Sequence, residues 1–234
     1  MTIKALTFDV FGTVVDWRGS LIQELTPWFA SRAPGVDVVS LVDDWRGAYV
    51  PSMDRVRRGE LPWTGLDTLH RQSLEQLLAA AGAPAFGEED LVWLTRAWWR
   101  LTPWSDSVPG LQRLKKKFTI SPLSNGSVAL LTALAKRAGL PWDLILCSEL
   151  FRHYKRDPEV YLGAAALLQL DPAEIMMVAA HNDDLLAAQK LGFATAFIGR
   201  PTEYGPRQTK DFGPEGSYTH VAADLVDLAH RLGC

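Results

Sequence analysis

The sequence predicts an α/β fold in which helices cover both faces of a parallel sheet and a helical cap is inserted after the first strand. Two observations support this prediction. Short apolar runs alternate with amphipathic helical patterns, and one long helical interval interrupts the alternation. Short runs that are apolar throughout are typical of parallel strands, because such strands are buried on both faces.

Five apolar runs are predicted as strands, since each is short and is followed by polar residues or glycine. The runs are 3–8, 118–123, 144–147, 175–179 and 194–198. Helical patterns lie between the later runs, at 128–138, 158–168 and 185–191. Gly139 and Gly192 follow two of these patterns and predict helix ends ahead of the next strand.

The interval 17–104 is rich in helix formers and poor in strand-like runs, and we predict that it forms the cap. It contains most of the tryptophans, among them Trp28, Trp45, Trp63, Trp93, Trp98 and Trp99. Large aromatic residues dominate buried area, so most of these side chains are expected in the cap interior. Residues 1–16 and 105–234 then form the core domain, with Pro103 and Ser105 marking the return to it.

Composition predicts a soluble cytoplasmic protein. The 234 residues include 47% hydrophobic and 22% charged residues, which is typical of a globular chain. A net charge of −3 without a long basic run argues against a nucleic-acid partner. No apolar span reaches the roughly 18 residues of a membrane helix. The only cysteines, Cys147 and the terminal Cys234, predict no disulfide framework and fit a reducing compartment.

Polar residues follow four of the predicted strands or the region just beyond them. They are Asp9, then Ser124 and Asn125, then Lys155, then His181 and Asp184. Each has an ordinary structural explanation when taken alone: a turn or helix cap for the aspartates, Ser124 and Asn125, and solvation for Lys155. Ligands of open α/β sheets bind beyond the carboxyl ends of the strands, so the joint placement favours one shared site.

These ordered motifs resemble the haloacid dehalogenase superfamily over nearly the whole chain. The motifs are Phe8-Asp9-Val10-Phe11-Gly12-Thr13-Val14, Leu123-Ser124-Asn125-Gly126, Lys155 with Pro158, and the acidic cluster that ends at Asp184. The resemblance implies a Rossmann-like core with a helical cap.

Two departures from the phosphatases of that superfamily point to another branch. Phosphatases have a second aspartate two residues after the nucleophile, where this chain has Phe11, and a Gly-Asp pair where it has Ala179-Ala180. Mg²⁺ prefers oxygen ligands, and two of its expected donors are therefore missing. The sequence instead resembles the type II, or L-2-haloacid, dehalogenases, which implies a reaction without metal or other cofactor.

The resemblance assigns a role to each site residue. Asp9 is the nucleophile, Thr13 its neighbouring hydroxyl, Lys155 its ion-pair partner, Tyr161 a supporting residue and Asp184 an activator of water. Ser124 and the backbone amides around Val10 and Phe11 hold the substrate carboxylate, and Asn125 and Arg46 hold the departing halide. Arg55, Arg57 and Arg58 compete for the halide role, but their charge-rich stretch indicates solvated surface.

The fourth motif differs from that of well-known members of the branch. They have a serine and an asparagine where this chain has Ala179 and His181. His181 either contributes to activating water, by assisting Asp184 or by taking over part of its role, or only hydrogen-bonds a neighbouring loop. Both alternatives stay open at this stage.

The implied activity is hydrolysis of short 2-haloalkanoic acids to 2-hydroxy acids through an ester on Asp9, with inversion at C2. Three alternatives remain: a Mg²⁺-dependent small-molecule phosphatase, a non-catalytic protein that binds small carboxylates, and ring opening of a strained cyclic amino acid by the same displacement. The sequence does not predict the preferred halide, chain length or enantiomer. A homodimer is compatible with the resemblance.

Overall fold

The computed structural model of the chain describes residues 2–234, without the side chain of Arg207. The chain divides into two compact units. The core unit is the N-terminal segment through Asp16 together with Thr102–Cys234, and the cap unit is Trp17–Leu101. The core resumes three residues earlier than the predicted 105, because Thr102 and Pro103 pair with Asp16 and Val15 as short antiparallel strands.

The core is built on a parallel six-stranded sheet, which confirms the predicted fold class. The strands of the chain are β1 (Ala5–Phe8), β2 (Val15–Asp16), β3 (Thr102–Pro103), β4 (Thr119–Ser124), β5 (Leu146–Cys147), β6 (Ile175–Ala179), β7 (Ala194–Ile198) and β8 (His220–Ala222). The sheet order is β5-β4-β1-β6-β7-β8, and β2 pairs only with β3. Every residue of β1 and β6 is buried, as expected for central strands covered by helices on both faces.

The cap unit is helical. Its helices are α1 (Trp17–Arg32), α2 (Val38–Gly47), α3 (Tyr49–Arg57), α4 (Leu66–Ala80) and α5 (Glu88–Thr95), followed by a 3₁₀ helix at Arg96–Trp99. Its interior is aromatic: the Trp98 ring stacks on Trp17 at 6.2 Å and meets the edge of Trp45 at 5.6 Å. Of the six tryptophans expected inside the cap, Trp28, Trp45 and Trp98 are buried, and the other three are partly buried.

The remaining helices belong to the core. They are α6 (Ser107–Leu114), α7 (Val128–Ala138), α8 (Ser148–Phe151), α9 (Pro158–Leu168), α10 (Asn182–Lys190) and α11 (Leu225–Arg231). Helices α7 and α9 begin and end as predicted. In α7, Ser127 caps the first turn by accepting a hydrogen bond from Leu130 N, and Gly139 ends the helix with φ +69°. In residues 2–234, no helix combines the length and apolar character that crossing a membrane requires.

Five elements correct the sequence-based boundaries. Strand β4 lies one residue later than the predicted 118–123, and β5 keeps only Leu146–Cys147 of the predicted 144–147. The strand β8 was not predicted, because this edge strand is short and its Val221 is 42% exposed, so it lacks an apolar run. Helix α10 begins at Asn182 rather than 185, since its first turn is polar and the apolar periodicity starts only at Leu185. Strand β1 begins at Ala5 rather than 3, where pairing with β4 and β6 starts.

Candidate active site

The candidate site lies at the carboxyl ends of four neighbouring strands of the core sheet. Asp9 directly follows β1, and Ser124 is the last residue of β4. His181 comes two residues after β6, and Glu203 lies in the irregular segment after β7. Because β4, β1, β6 and β7 are adjacent in the sheet, their parallel direction brings these side chains to one edge.

Asp9 is buried and all its contacts favour its ionised form. Its Oδ1 accepts a hydrogen bond from Lys155 Nζ at 2.9 Å, and its Oδ2 accepts one from the Thr13 hydroxyl at 2.8 Å. His181 Nδ1 lies 3.2 Å from the same Oδ2. Burial alone would raise the pKa of Asp9, but the charge of Lys155 and the hydrogen bond from His181 hold it well below its usual value.

Lys155 joins two buried carboxylates. Its Nζ lies 2.9 Å from Asp9 Oδ1 and 2.5 Å from Asp184 Oδ2. Burial opposes its charge, but Asp184 and Asp9 outweigh that effect and raise the pKa of Lys155 above its usual value. The other Asp184 oxygen, Oδ1, accepts the Tyr161 hydroxyl at 2.5 Å. Burial, aided by the charge of Asp9 and opposed by Lys155, raises the pKa of Asp184.

Thr13 links the loop after Asp9 to the end of the neighbouring strand β6. Its hydroxyl donates to Asp9 Oδ2 and accepts the Ala180 backbone N–H at 2.8 Å. The loop turns back on itself, because Gly12 N donates to Val15 O and Gly12 adopts φ +91°, a conformation that favours glycine. Thr13 is thereby held beside Asp9, as the resemblance implied.

Three side chains of the core unit hold successive carbonyls of the loop 12–14. Trp104 Nε1, Arg200 Nε and Ser107 Oγ donate in turn to the carbonyls of residues 12, 13 and 14, at 2.8, 3.0 and 2.7 Å. Arg200 is itself fixed by a two-pronged pair with Asp106 at 2.8 and 2.7 Å. The position of the loop that follows Asp9 is therefore set by contacts beyond β1.

His181 is buried between two carboxylates. Its Nδ1 faces Asp9, and its Nε2 lies 3.0 Å from both oxygens of Glu203, a residue only 1% exposed. Burial would lower the pKa of His181, but the charge of Glu203 and the hydrogen bonds to Asp9 and Glu203 raise it well above its usual value. The sequence left open whether His181 assists water activation or only hydrogen-bonds a neighbouring loop. The contact with the loop, through Glu203, is present, and so is a contact with Asp9, the predicted nucleophile.

Asn125 and Ser124 lie at the end of β4. The Asn125 Oδ1 accepts both Ser148 Oγ at 2.6 Å and Lys155 N at 2.8 Å. These two bonds fix the carbonyl end of the amide and leave Nδ2 as its opposite, donating end. The buried Ser124 hydroxyl accepts Gly126 N at 3.3 Å. Both side chains are thus held at the sheet edge that carries Asp9.

Phe11 and Arg46 lie in different units. Phe11 is buried in the turn after β1 and forms a bridge with Val15. Within the cap, the half-buried Arg46 guanidinium lies over the Tyr49 ring at 4.3 Å and the Trp17 ring at 5.4 Å. The three arginines that compete with Arg46 form salt bridges with acidic residues of the cap. Arg55 and Arg58 pair with Glu60, and Arg57 pairs with Asp54.

A family model for haloacid dehalogenase-like hydrolases matches residues 3–192, most of the chain. The chain belongs to this family. Its similarity to solved L-2-haloacid dehalogenases extends over almost the full length. The crystal structure of L-2-haloacid dehalogenase PA0810 is 50% identical, covers 98% of this chain and 99% of its own, and superposes with a TM-score of 0.93.

Two further relatives agree with that assignment. The defluorinating L-2-haloacid dehalogenase Rha0230 is 46% identical in sequence and has a TM-score of 0.97, over 99% of this chain and 96% of its own. The (S)-2-haloacid dehalogenase 4A of Burkholderia cepacia is 28% identical over 87% of each chain. The predicted resemblance to the L-2-haloacid dehalogenase branch of the family is confirmed.

The site does not fit the Mg²⁺ that other branches of the family imply. By the resemblance, Phe11 stands where a second carboxylate would bind the metal, and Ala179-Ala180 stands where the phosphatases have a Gly-Asp pair. Within residues 2–234, no group of three or more His, Cys, Asp or Glu side chains has an arrangement that could hold a metal ion.

Five residues that build the site were not predicted from the sequence. They are Trp104, Asp106, Ser107, Arg200 and Glu203. Arg200 and Glu203 could have been predicted, because both follow the predicted strand 194–198 and ligands of open α/β sheets bind beyond the carboxyl ends of the strands. Trp104 was assigned to the cap but lies in the core unit.

Proposed function

We propose that this hydrolase converts short 2-haloalkanoic acids to 2-hydroxy acids by attack of Asp9 on the carbon that bears the halogen. The observation that supports this most strongly is the buried, ionised Asp9, held by Lys155 on one oxygen and by Thr13 and His181 on the other. A weakly solvated carboxylate in a fixed orientation is suited to act as a nucleophile. The relatives at 50% and 46% identity are L-2-haloacid dehalogenases.

In the first step, an Asp9 oxygen bonds to C2 of the substrate while the carbon–halogen bond breaks. The halide leaves with the bonding electron pair, and an aspartyl ester remains. Displacement from the side opposite the halogen inverts C2. Since the relatives are named for L or (S) substrates, we expect the (S) enantiomer to be hydrolysed and the (R) hydroxy acid to be formed.

The substrate is itself an anion, so its binding near Asp9 requires donors and positive charge. We assign the substrate carboxylate to the Ser124 hydroxyl and to the backbone amides around Val10 and Phe11. The Asn125 Nδ2 donor and the Arg46 guanidinium are assigned to the departing halide, where negative charge develops. Support comes from the orientation of the Asn125 amide and from the resemblance of the motifs.

In the second step, water attacks Cγ of the Asp9 ester, the Cγ–O bond breaks, and the 2-hydroxy acid leaves. Asp9 is regenerated as a carboxylate. Two buried groups are candidates to take the proton of that water: Asp184, which Lys155 and Tyr161 hold, and His181, which faces Asp9. Lys155 keeps its charge in both steps because its second partner is Asp184.

Neither alternative class is favoured. A Mg²⁺-dependent phosphatase needs oxygen ligands that Phe11 and Ala179-Ala180 do not supply. A binding protein without catalytic function does not need a nucleophile, its cationic partner and two candidate bases in one cluster.

Halide release from a small panel of acids tests the proposal. The panel is chloroacetate, fluoroacetate and both enantiomers of 2-chloropropionate, with and without a chelator. We expect halide and hydroxy acid in equal amounts, from the (S) enantiomer, unchanged by the chelator. Fluoroacetate is included because the relative Rha0230 is defluorinating. Phosphate release that depends on Mg²⁺, without any halide release, would contradict the proposal.

The matched control is Asp9→Asn, which preserves shape but removes the nucleophilic charge. We expect halide release to fall by at least about 10³-fold, since loss of a covalent nucleophile removes the pathway itself. Circular dichroism and thermal unfolding check that the variant remains folded. Retention of halide release by the folded variant would rule out Asp9 as the nucleophile.

We further propose that the enzyme is cytoplasmic, acts without nucleic-acid or membrane partners and forms a homodimer. The low net charge and the near absence of cysteine support the first two points. Light scattering coupled to size exclusion measures the molar mass, and a value of one chain would contradict the dimer.

A further inference from the structure

His181 has a carboxylate at each ring nitrogen. Nδ1 lies 3.2 Å from Asp9 Oδ2, and Nε2 lies 3.0 Å from both Glu203 oxygens. An ionised carboxylate only accepts hydrogen bonds, so each ring nitrogen must carry a hydrogen to satisfy its partner. In the free enzyme, His181 is therefore an imidazolium, and it is a donor rather than a base.

We propose that formation of the Asp9 ester converts His181 into the base of the second step, and that Glu203 is the positioning residue that makes this conversion productive. This inference rests on the proposed function. Esterification removes the negative charge of Asp9, one of the two charges that hold the proton on His181. The charge of Glu203 remains and continues to hold the hydrogen on Nε2.

The proton balance follows from that order of events. After the halide leaves, His181 Nδ1 releases its proton to solvent, and the neutral ring presents a lone pair toward the ester. Nδ1 then takes a proton from water while the hydroxide attacks Asp9 Cγ. The Cγ–O bond breaks, the leaving alkoxide takes the proton of the new Asp9 carboxyl group, and His181 is again an imidazolium beside a carboxylate. The sum is one substrate and one water giving one hydroxy acid, one halide and one proton.

Asp184 is less available for this task. Both of its oxygens have close donors, Lys155 Nζ on Oδ2 and the Tyr161 hydroxyl on Oδ1, each at 2.5 Å. Neither donor changes charge when Asp9 is esterified. His181 is the group whose hydrogen-bond partner is the reacting carboxylate itself.

The loop after β1 is shaped to admit Glu203. A Cβ atom at Gly12 would lie 2.2 Å from Glu203 Oε1, so a side chain at that position would displace the carboxylate.

Three charged groups act on His181 directly. They are Asp9 after β1, Glu203 from the segment after β7, and Asp183 from the first turn of α10. Lys155 acts through the other oxygen of Asp9.

Rapid-quench kinetics with (S)-2-chloropropionate tests the inference on three variants. They are Glu203→Gln, the charge-balanced double variant His181→Gln/Glu203→Gln, and the control Glu174→Gln, whose carboxylate pairs with Lys4 away from the site. In the double variant we expect one halide per site to be released in a fast first turnover. Ester hydrolysis then slows by about 10²-fold or more, the usual loss when a general base is removed.

Glu203→Gln tests the positioning role separately. We expect a lower kcat with little change in KM, and a shift to lower pH of the profile for ester hydrolysis, because one carboxylate that favours the imidazolium is gone. Glu203→Asp should restore part of the rate. The control should match the parent enzyme. A purely structural role would slow both steps and leave the pH profile in place.

Two results overturn the inference. One is hydrolysis at the parent rate in the double variant, which would leave Asp184 as the sufficient base. The other is equal slowing of halide release and hydrolysis in Glu203→Gln, with an unshifted pH profile. Failure of the parent enzyme to release any halide is a different outcome, since it contradicts the proposed function itself.

Discussion

The cap interior and the edge of the core sheet each bury a histidine, and the two side chains are in opposite charge states. His70 in the cap is 2% exposed, and His181 in the core is 8% exposed. The His70 ring stacks on Trp98 at 4.4 Å and lies near Trp45 and Tyr49. Burial, aided by the charge of Arg46, lowers the pKa of His70 to about 3.

Burial without a neighbouring carboxylate, aided by Arg46, therefore gives a neutral histidine in the cap. At the sheet edge, Asp9 and Glu203 reverse it and keep His181 charged. A buried cluster in which aspartate, lysine and imidazolium all stay ionised is costly unless every charge has a partner. The raised pKa of His181, in contrast to the lowered pKa of His70, marks the sheet edge as the candidate functional site.

The largest effect is expected from Lys155→Met, which removes the ammonium between Asp9 and Asp184. Two buried carboxylates would then repel each other, and the unfolding free energy should fall by about 3–5 kcal/mol. Halide release should fall as well, because the pKa of Asp9 would rise. Urea unfolding and halide release measure the two effects.

The matched control for that substitution is Lys4→Met. Lys4 also contacts a carboxylate at 2.6 Å, but its side chain is 56% exposed. Exposed pairs contribute about 0–1 kcal/mol, so stability and activity should stay near those of the parent. Equal destabilisation by the two substitutions would show that burial does not distinguish the sites.

A smaller, pH-dependent effect is expected from His181. The pKa of His181 is raised in the folded state. Its contribution to stability is therefore full below about pH 6.5, the pKa of histidine in the unfolded chain. That contribution is lost as the pH rises through the pKa of His181 in the folded protein. The slope is at most about 1.4 kcal/mol per pH unit for one proton. The double variant His181→Gln/Glu203→Gln should lack this alkaline loss in urea unfolding from pH 6 upward. An unchanged slope would mean that His181 is not charged in the folded protein.

The smallest effect near neutral pH is expected from His70→Phe. Replacing a neutral aromatic ring by one of similar size should change the unfolding free energy by less than about 1.5 kcal/mol. Because the pKa of His70 is lowered, its effect on stability has the opposite pH dependence to that of His181. Stability is lost as the pH falls from about 6.5 toward 3. The variant should lose less stability over that acid range than the parent. An increased acid sensitivity would contradict the neutral assignment.

Sequence predicts well those parts of this fold that follow from local pattern. Strands β6 and β7 and helices α7 and α9 begin and end as predicted, because apolar patterns mark all four and Gly139 marks the end of α7. The resemblance of the ordered motifs implied the pairing of Asp9 with Lys155, although 146 positions separate the two residues.

The remaining features depend on side chains that meet only in three dimensions. Glu203 lies in an irregular segment without a motif, and its importance depends on His181 and on the absence of a side chain at Gly12. Arg200, held by its pair with Asp106, reaches the loop 12–14 from a distant part of the core. No periodicity or composition reveals such contacts, because neither residue lies in a repeating pattern.

The most direct test of the account is the mass of the peptide that contains Asp9, isolated after quenching turnover of (S)-2-chloropropionate. In the double variant His181→Gln/Glu203→Gln, we expect that peptide to gain the mass of the propionate substituent, with fragmentation placing it on Asp9. The Asp9→Asn protein should show no gain. Halide release at full stoichiometry with an unmodified Asp9 peptide at every quench time would contradict covalent catalysis by this residue.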